Sequence, residues 1–278
     1  MAMEALLEQP DRRLSAPTRN LFGFNFVSDH DLSTVVDRIT GPQPADELLP
    51  LVLTPNVDYI VRLRESNMAD LAEVLPRARY VLPDGQPIVW TSRLTGEPLA
   101  ARLPGSTMFP AVWKRIVDER RPTVVVASSQ ETADRLRNEY PDAAAVVAPH
   151  FDADDQMHVA QVANDCLAAI RETKAEFVFV GISFPKQQRV ALSVLRRLKA
   201  AGEPLPLFLL LGGSFEMYLG QVKRAPTWMQ QYGLEWFFRF IQEPRRLFRR
   251  YFITDTRFAW LLVRELFVSR TTRSAELA

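Results

Sequence analysis

FVFVGISFPKQQ, residues 177–188, sets four large apolar side chains in a row, breaks at Gly181 and runs on into Lys186, Gln187 and Gln188. Valine and phenylalanine favour a pleated strand, and a glycine followed by polar residues marks its end. The pattern recurs in LPLVLTPN at 49–56, RYVLPDG at 79–85, PTVVVASS at 122–129, AAVVAPHF at 144–151 and PLFLLLGG at 206–213. Helical-looking segments separate most of these runs. The rhythm predicts an α/β fold, a Rossmann-like sheet with flanking helices. Ligands of such sheets sit outside the carboxyl ends of the strands. The informative residues are then those that follow each run: Thr54 and Asn56, Asp84 and Gly85, Ser128 and Ser129, Gly181 to Gln187, and Gly212 to Glu216.

With 278 residues, 47% of them hydrophobic, the chain can fill a substantial core. The single cysteine, Cys166, leaves no intramolecular disulfide to form, and residues 1–20 lack the apolar centre of a signal peptide, so a cytoplasmic address is expected. The longest apolar runs, at 205–213 and 258–263, fall short of the roughly 18 residues that span a bilayer. The expected organisation is a mobile segment over 1–20, an α/β domain over 21–219 and a helical appendage over 220–278, broken by Pro226 and Pro244. The net charge of +1 hides an asymmetry: from Gly220 onward eleven Lys and Arg face five Asp and Glu. A tail with that surplus is suited to an anionic partner, whether membrane, phosphate or nucleic acid.

In LEWFFRFIQEPRRLFRRYF, residues 234–252, a helical projection at about 100° per residue divides the chemistry. Arg245, Arg246, Arg249 and Arg250 take one side, and Leu247, Phe248, Tyr251 and Phe252 the other. Upstream, Leu234, Phe237, Phe238 and Ile241 share a stripe from which Arg239 points away. Aromatics segregated from arginines do not make the interleaved stacking platform of a single-strand binder, so no nucleic-acid partner is expected.

Asp84 in LPDG reads either as a plain Asp-Gly turn or as a carboxylate held at a strand end to accept a proton. Thr54 and Asn56 in LTPN read either as helix caps or as groups that position a substrate. Asp152, Asp154 and Asp155 in FDADDQM imitate a metal-gripping DxD, but they precede a helical run, and the capping role is favoured. His30, His150 and His158 have no metal-site spacing, so no metal is expected. Gly212 and Gly213 either make a turn or let a backbone approach a nucleotide. Neither GxGxxG nor the P-loop pattern occurs, which removes the main support for dinucleotide oxidoreductases and NTPases.

In order, the blocks LTPNVDYI, YVLPDGQPIVWTSRLTG, ARLPGSTM, FVGISFPKQQ and LLGGSFEMYLGQVKRAPTWMQQYGLEWFFRFIQEPRRLFRR resemble the WecG/TagA/CpsF glycosyltransferases, also called glycosyltransferase family 26. The resemblance spans about residues 22–252. It implies an inverting, metal-independent transfer from a UDP-sugar to a polyprenyl-diphosphate-linked saccharide at the cytoplasmic face of the membrane, without a cofactor. It also implies roles: Asp84 as the base, Thr54 as the active-site threonine with Asn56 beside it, and Gln187 near the nucleotide. Arg239, Arg246 and Arg249 would complete the site around diphosphate, with Lys186, Gly181, Gly212 and Gly213 further candidates for nucleotide contact. Five positions depart from the pattern: Ser128-Ser129 for Gly-Gly, Thr107 for an acidic residue, Gln188 for Glu, and Glu216 for Asp. Ser128, Thr107 and Gln188 motivate an alternative, a catalytically silent scaffold of a polysaccharide-assembly complex, against which the intact Thr54, Asn56 and Asp84 argue. Self-association into a homo-oligomer is also compatible with the resemblance.

A metal-free transferase must neutralise its departing diphosphate with donors, and arginine grips phosphate with two. Facing an anionic membrane surface, Arg245, Arg246, Arg249 and Arg250 would contribute about 1 kcal/mol each, and Phe248, Tyr251, Phe252 and Trp260 would add apolar insertion. The expected arrangement docks 228–241 on the core and turns 245–268 to lipid.

Overall fold

The computed structural model describes residues 17–44, 46–223, 225–226, 228–229, 234–242, 244, 248 and 257–276; the side chains of Arg239 and of residues 268–276 fall outside that description. A hairpin opens it. Thr18–Leu21 (β1) and Phe24–Val27 (β2) pair antiparallel across Phe22 and Gly23, whose φ angles of 54° and 81° make the turn. β1 begins at Thr18, ahead of the expected domain start. Each of the six apolar runs then forms a strand: Leu49–Leu53 (β3), Ala78–Val81 (β4), Thr123–Ala127 (β5), Ala144–Val147 (β6), Phe177–Val180 (β7) and Leu207–Leu210 (β8).

The eight strands form one sheet in the order β1-β2-β4-β3-β8-β7-β5-β6, parallel except for the β1–β2 pair. Alternation along each strand divides its side chains between two cores. Leu51, Leu53, Val178, Val180, Phe208 and Leu210 enter one, while Val52, Phe177, Phe179, Leu207 and Leu209 enter the other. With both faces covered, the parallel strands read as unbroken apolar runs, which is why they stand out in the sequence.

The first core is sealed by Val57–Arg62 (α2), Ala69–Val74 (α3), Gln156–Thr173 (α7) and Lys186–Ala200 (α8). The second is sealed by Leu32–Thr40 (α1), Gly105–Asp118 (α5), Gln130–Glu139 (α6) and Phe215 of Ser214–Tyr218 (α9). Gln86–Leu94 (α4) follows β4. Polar caps start several of these helices: Asp31 on α1, Asn56 on α2, Ser129 on α6 and Asp155 on α7. Asp155 accepts from the amides of Met157 and His158 and is the cap expected of this stretch, while Asp154 pairs with Arg189 at 2.8 Å.

Two tail helices are described, Glu235–Gln242 and Arg257–Glu276. The second docks on the β1–β2 turn. Phe258 packs against Phe22 with the ring centroids 5.3 Å apart and the planes tilted by 49°, Leu261 is also buried, and Glu265 accepts from the Phe22 amide at 2.8 Å. Part of the stretch expected to face lipid therefore belongs to the core. The same helix turns Trp260, Val263 and Phe267 outward, all at least half exposed. In the first tail helix Phe237 and Ile241 are exposed, contrary to the docking expected for 228–241, whereas Met229 and Glu235 are buried. No described helix is long and apolar enough to cross a membrane.

Candidate functional site

The chain leaves β3 through α2 toward one face of the sheet and leaves β8 through α9 toward the other. Neighbouring strands whose connections diverge in this way open a crevice at their carboxyl ends. Thr54 stands at its floor, the first residue after β3, with its Oγ1 3.5 Å from the Leu210 carbonyl across the gap. Gly105, the first residue of α5, is wedged beside it. A Cβ there would lie 2.8 Å from Ser214 Oγ, 3.3 Å from the Leu211 carbonyl and 3.4 Å from Thr54 Oγ1.

Asp84 comes to the same place by backbone ties. The Leu82 amide donates to Leu53 at 2.8 Å and the Asp84 amide to Pro55 at 3.1 Å, which carries the β3–β4 pairing beyond the strands. Gly85, at φ 130° and ψ 133°, then turns the chain into α4, a conformation that suits only glycine. A Cβ on Gly85 would lie 3.9 Å from Asn56 Cβ, so Asp84-Gly85 and Asn56 face each other. Asn56 caps α2, its Oδ1 accepting from the Tyr59 amide at 3.0 Å. Thr54, Asn56 and Asp84 are all half-buried, shielded without being sealed.

On the β8 side, the amide of Gly212 (φ 55°) donates to Gln187 Oε1 at 3.1 Å, joining the two polar strand ends. Tyr59 and Arg62 of α2 pack on Phe184 at 4.3 Å and 5.1 Å, which holds the β7–α8 turn against the β3 side. Gln188, fully buried, lies beside Tyr59, whose phenol burial pushes far above its ordinary pKa. Gly213 is exposed at the start of α9.

Two candidates have structural roles. The Gly181 amide donates to Val126 at 2.8 Å, and a Cβ on Gly181 would lie 2.3 Å from Phe215 Cδ2, so this glycine makes room for an aromatic ring. Lys186 is directed at Phe151: its Nζ donates to that carbonyl at 3.1 Å and sits 4.9 Å from the ring. Two of the departures from the family pattern meet, Ser128 Oγ donating to Glu216 Oε1 at 2.5 Å. Arg239 is on the first tail helix with its side chain outside the description, and Arg245, Arg246, Arg249, Arg250, Tyr251 and Phe252 lie outside the described residues. Phe248 is described and exposed. Among the described residues no group of three or more His, Cys, Asp or Glu is placed to hold a metal ion.

One residue absent from the sequence candidates lies at the rim. Leu103 donates to the Pro83 carbonyl at 2.9 Å, which brings the 102–105 loop beside Asp84, and Arg102 reaches from it to Glu235 of the tail at 3.0 Å. An arginine in a loop reads as solvated, and its partner lies 133 residues downstream.

The fold and this convergence define a doubly wound α/β protein with its polar residues gathered at the crevice between β3 and β8. A sequence model of the glycosyl transferase WecG/TagA/CpsF family matches residues 19–272, and the chain belongs to that family. Among its relatives is the N-acetylglucosaminyldiphosphoundecaprenol N-acetyl-beta-D-mannosaminyltransferase of Bacillus spizizenii, 30% identical over 62% of this chain and 64% of the relative. The enzyme of the same name from Bacillus subtilis is 29% identical over 64% and 66%. That from Staphylococcus aureus is 25% identical over 71% and 74%. The match thus spans just under two thirds of the length of each Bacillus relative.

Proposed function

We propose that this protein transfers a sugar, with inversion, from a UDP-sugar to a polyprenyl-diphosphate-linked saccharide at the inner face of the cell membrane. The observation that carries the reading is the meeting of Thr54, Asn56 and Asp84 at the carboxyl ends of β3 and β4. The Asp84 carboxylate takes the proton of the acceptor hydroxyl. That oxygen bonds to the anomeric carbon as the bond from this carbon to the diphosphate oxygen breaks, and UDP leaves with the electron pair, so an α donor gives a β product. Thr54 and Asn56 position the reacting groups, and Gln187 with the Gly212–Gly213 turn borders the nucleotide. The names of the relatives, which specify a diphosphoundecaprenol-linked saccharide and a beta-D-mannosaminyl group, support the acceptor class and the β product.

The diphosphate charge falls to donors and arginines, with Arg239, Arg246 and Arg249 in that role and no metal needed. Supporting this, Asp154 and Asp155 are already engaged by Arg189 and by the α7 amides. Membrane attachment draws support from the distribution of exposed apolar side chains. Of the fourteen large apolar side chains exposed among the described residues, eight belong to the basic tail: Trp228, Trp236, Phe237, Ile241, Phe248, Trp260, Val263 and Phe267.

The Ser128–Glu216 hydrogen bond favours a second reading, the silent scaffold, in which these two departures from the family pattern engage each other instead of a ligand. Calorimetry with UDP separates the two: binding supports the transferase, and no binding to folded protein supports the scaffold.

A further inference from the structure

Arg102 and Glu235 form an ion pair 3.0 Å long with side chains only 16% and 11% exposed. Desolvation offsets most of the attraction in such a pair, so its effect is to fix a geometry more than to stabilise the fold. The two ends show which geometry. Arg102 belongs to the loop that ties the site together, one residue before the Leu103–Pro83 hydrogen bond and three before Gly105, which abuts Thr54. Glu235 is the first residue of the Glu235–Gln242 helix, where the helix dipole favours a carboxylate. The exposed Phe237 and Ile241 do not seal that helix to the core. The other tail helix is held elsewhere, at Phe22, by Phe258 and Glu265.

We propose that Arg102 and Glu235 form a latch. Arg102 is a positioning residue that, through Glu235, seats the Glu235–Gln242 helix at the mouth of the Thr54–Asn56–Asp84 site. Its kinetic consequence rests on the glycosyl-transfer reading, while the seating itself is a matter of where the tail lies.

The test is a charge exchange in the full-length chain, read by hydrogen exchange and by steady-state transfer. Arg102→Glu and Glu235→Arg each speed amide exchange across 234–242, leave exchange in the β-sheet as in wild type, and lower kcat at least tenfold. Glu235→Gln, a milder change, shifts both readouts in the same direction. The double variant restores slow exchange and at least tenfold of the lost kcat, with the KM for the donor little altered. Unchanged exchange over 234–242 in the single variants, or a double variant exchanging as fast as they do, overturns the latch. Restored exchange without restored kcat overturns the positioning role and assigns Arg102 to the substrate. A wild type inactive with every donor would sink the glycosyl-transfer reading alone, because hydrogen exchange still decides the seating.

Discussion

Gly181→Ala tests whether the glycine after β7 serves packing or ligand. The added methyl would lie 2.3 Å from Phe215 Cδ2, 2.4 Å from Cε2 and 2.9 Å from Cγ, far inside van der Waals contact. The ring has little room to retreat. It is fully buried with its centroid 4.6 Å from that of Phe109, which is itself packed on Trp113 and Phe179 at 5.7 Å. Overpacking of this kind costs about 1–3 kcal/mol, and a clash on three ring atoms belongs at the upper end. At roughly 2–4 °C per kcal/mol for a domain of this size, the melting temperature should fall by about 6–12 °C. Adding Phe215→Leu removes the ring that the methyl strikes, so the double variant should melt well above the sum of the single losses. Differential scanning calorimetry of the four proteins reads this directly. A Gly181→Ala protein that melts within about 2 °C of wild type refutes the packing argument, and a simultaneous loss of UDP affinity would return Gly181 to the nucleotide.

Other expectations follow from single groups. Hydrogen bonds from the Thr34 hydroxyl, and then from the Ser33 hydroxyl and amide, hold Asp31 down to about 2. Because its folded pKa lies below the ordinary 3.8, its contribution is complete above that value and vanishes as pH falls through about 2. The melting gap between wild type and Asp31→Ala should therefore be full at pH 6 and close toward pH 2, and a gap independent of pH would contradict it. Burial pushes the Cys166 thiol up to about 12, with Asp165 adding to the effect, so an aromatic disulfide reagent should label the protein only as it unfolds. Trp260→Ser with Phe267→Ser removes two exposed apolar side chains of about 1.5–3 kcal/mol each. Partial insertion makes the expected loss of affinity for anionic vesicles roughly tenfold to a hundredfold, with Tm unchanged; undiminished binding in a flotation assay would exclude this face as the lipid contact.

The parallel strands were legible because burial on both faces leaves runs such as VVV at 124–126 and LFLLL at 207–211 with no polar interruption. The hairpin at Thr18–Val27 was not, since its strands are four residues each and three of the four side chains of β1 are polar. Strand ends pointed to Thr54, Asn56 and Asp84 but left their roles open between turn, cap and site. Folding resolves part of that: Asn56 is a cap as well as a neighbour of Gly85, and Thr54 spans toward β8. Gly181 looked like Gly212, although one accommodates a ring and the other donates its amide to Gln187. No local pattern distinguishes them, because Phe215 and Gln187 meet these glycines only once β7 and β8 are neighbours. Arg102 was illegible for the same reason, its meaning residing in a partner on the tail.

The central claim is that Asp84 accepts a proton during sugar transfer, and the most direct measurement compares wild type with Asp84→Asn. UDP release is followed from a panel of UDP-sugars, with anionic liposomes that carry polyprenyl-diphosphate saccharides. Release from one donor, dependent on the acceptor lipid and slowed about 10²–10⁴-fold in Asp84→Asn at unchanged Tm, is the predicted result. Near-normal turnover in the variant would contradict it and remove Asp84 as the base.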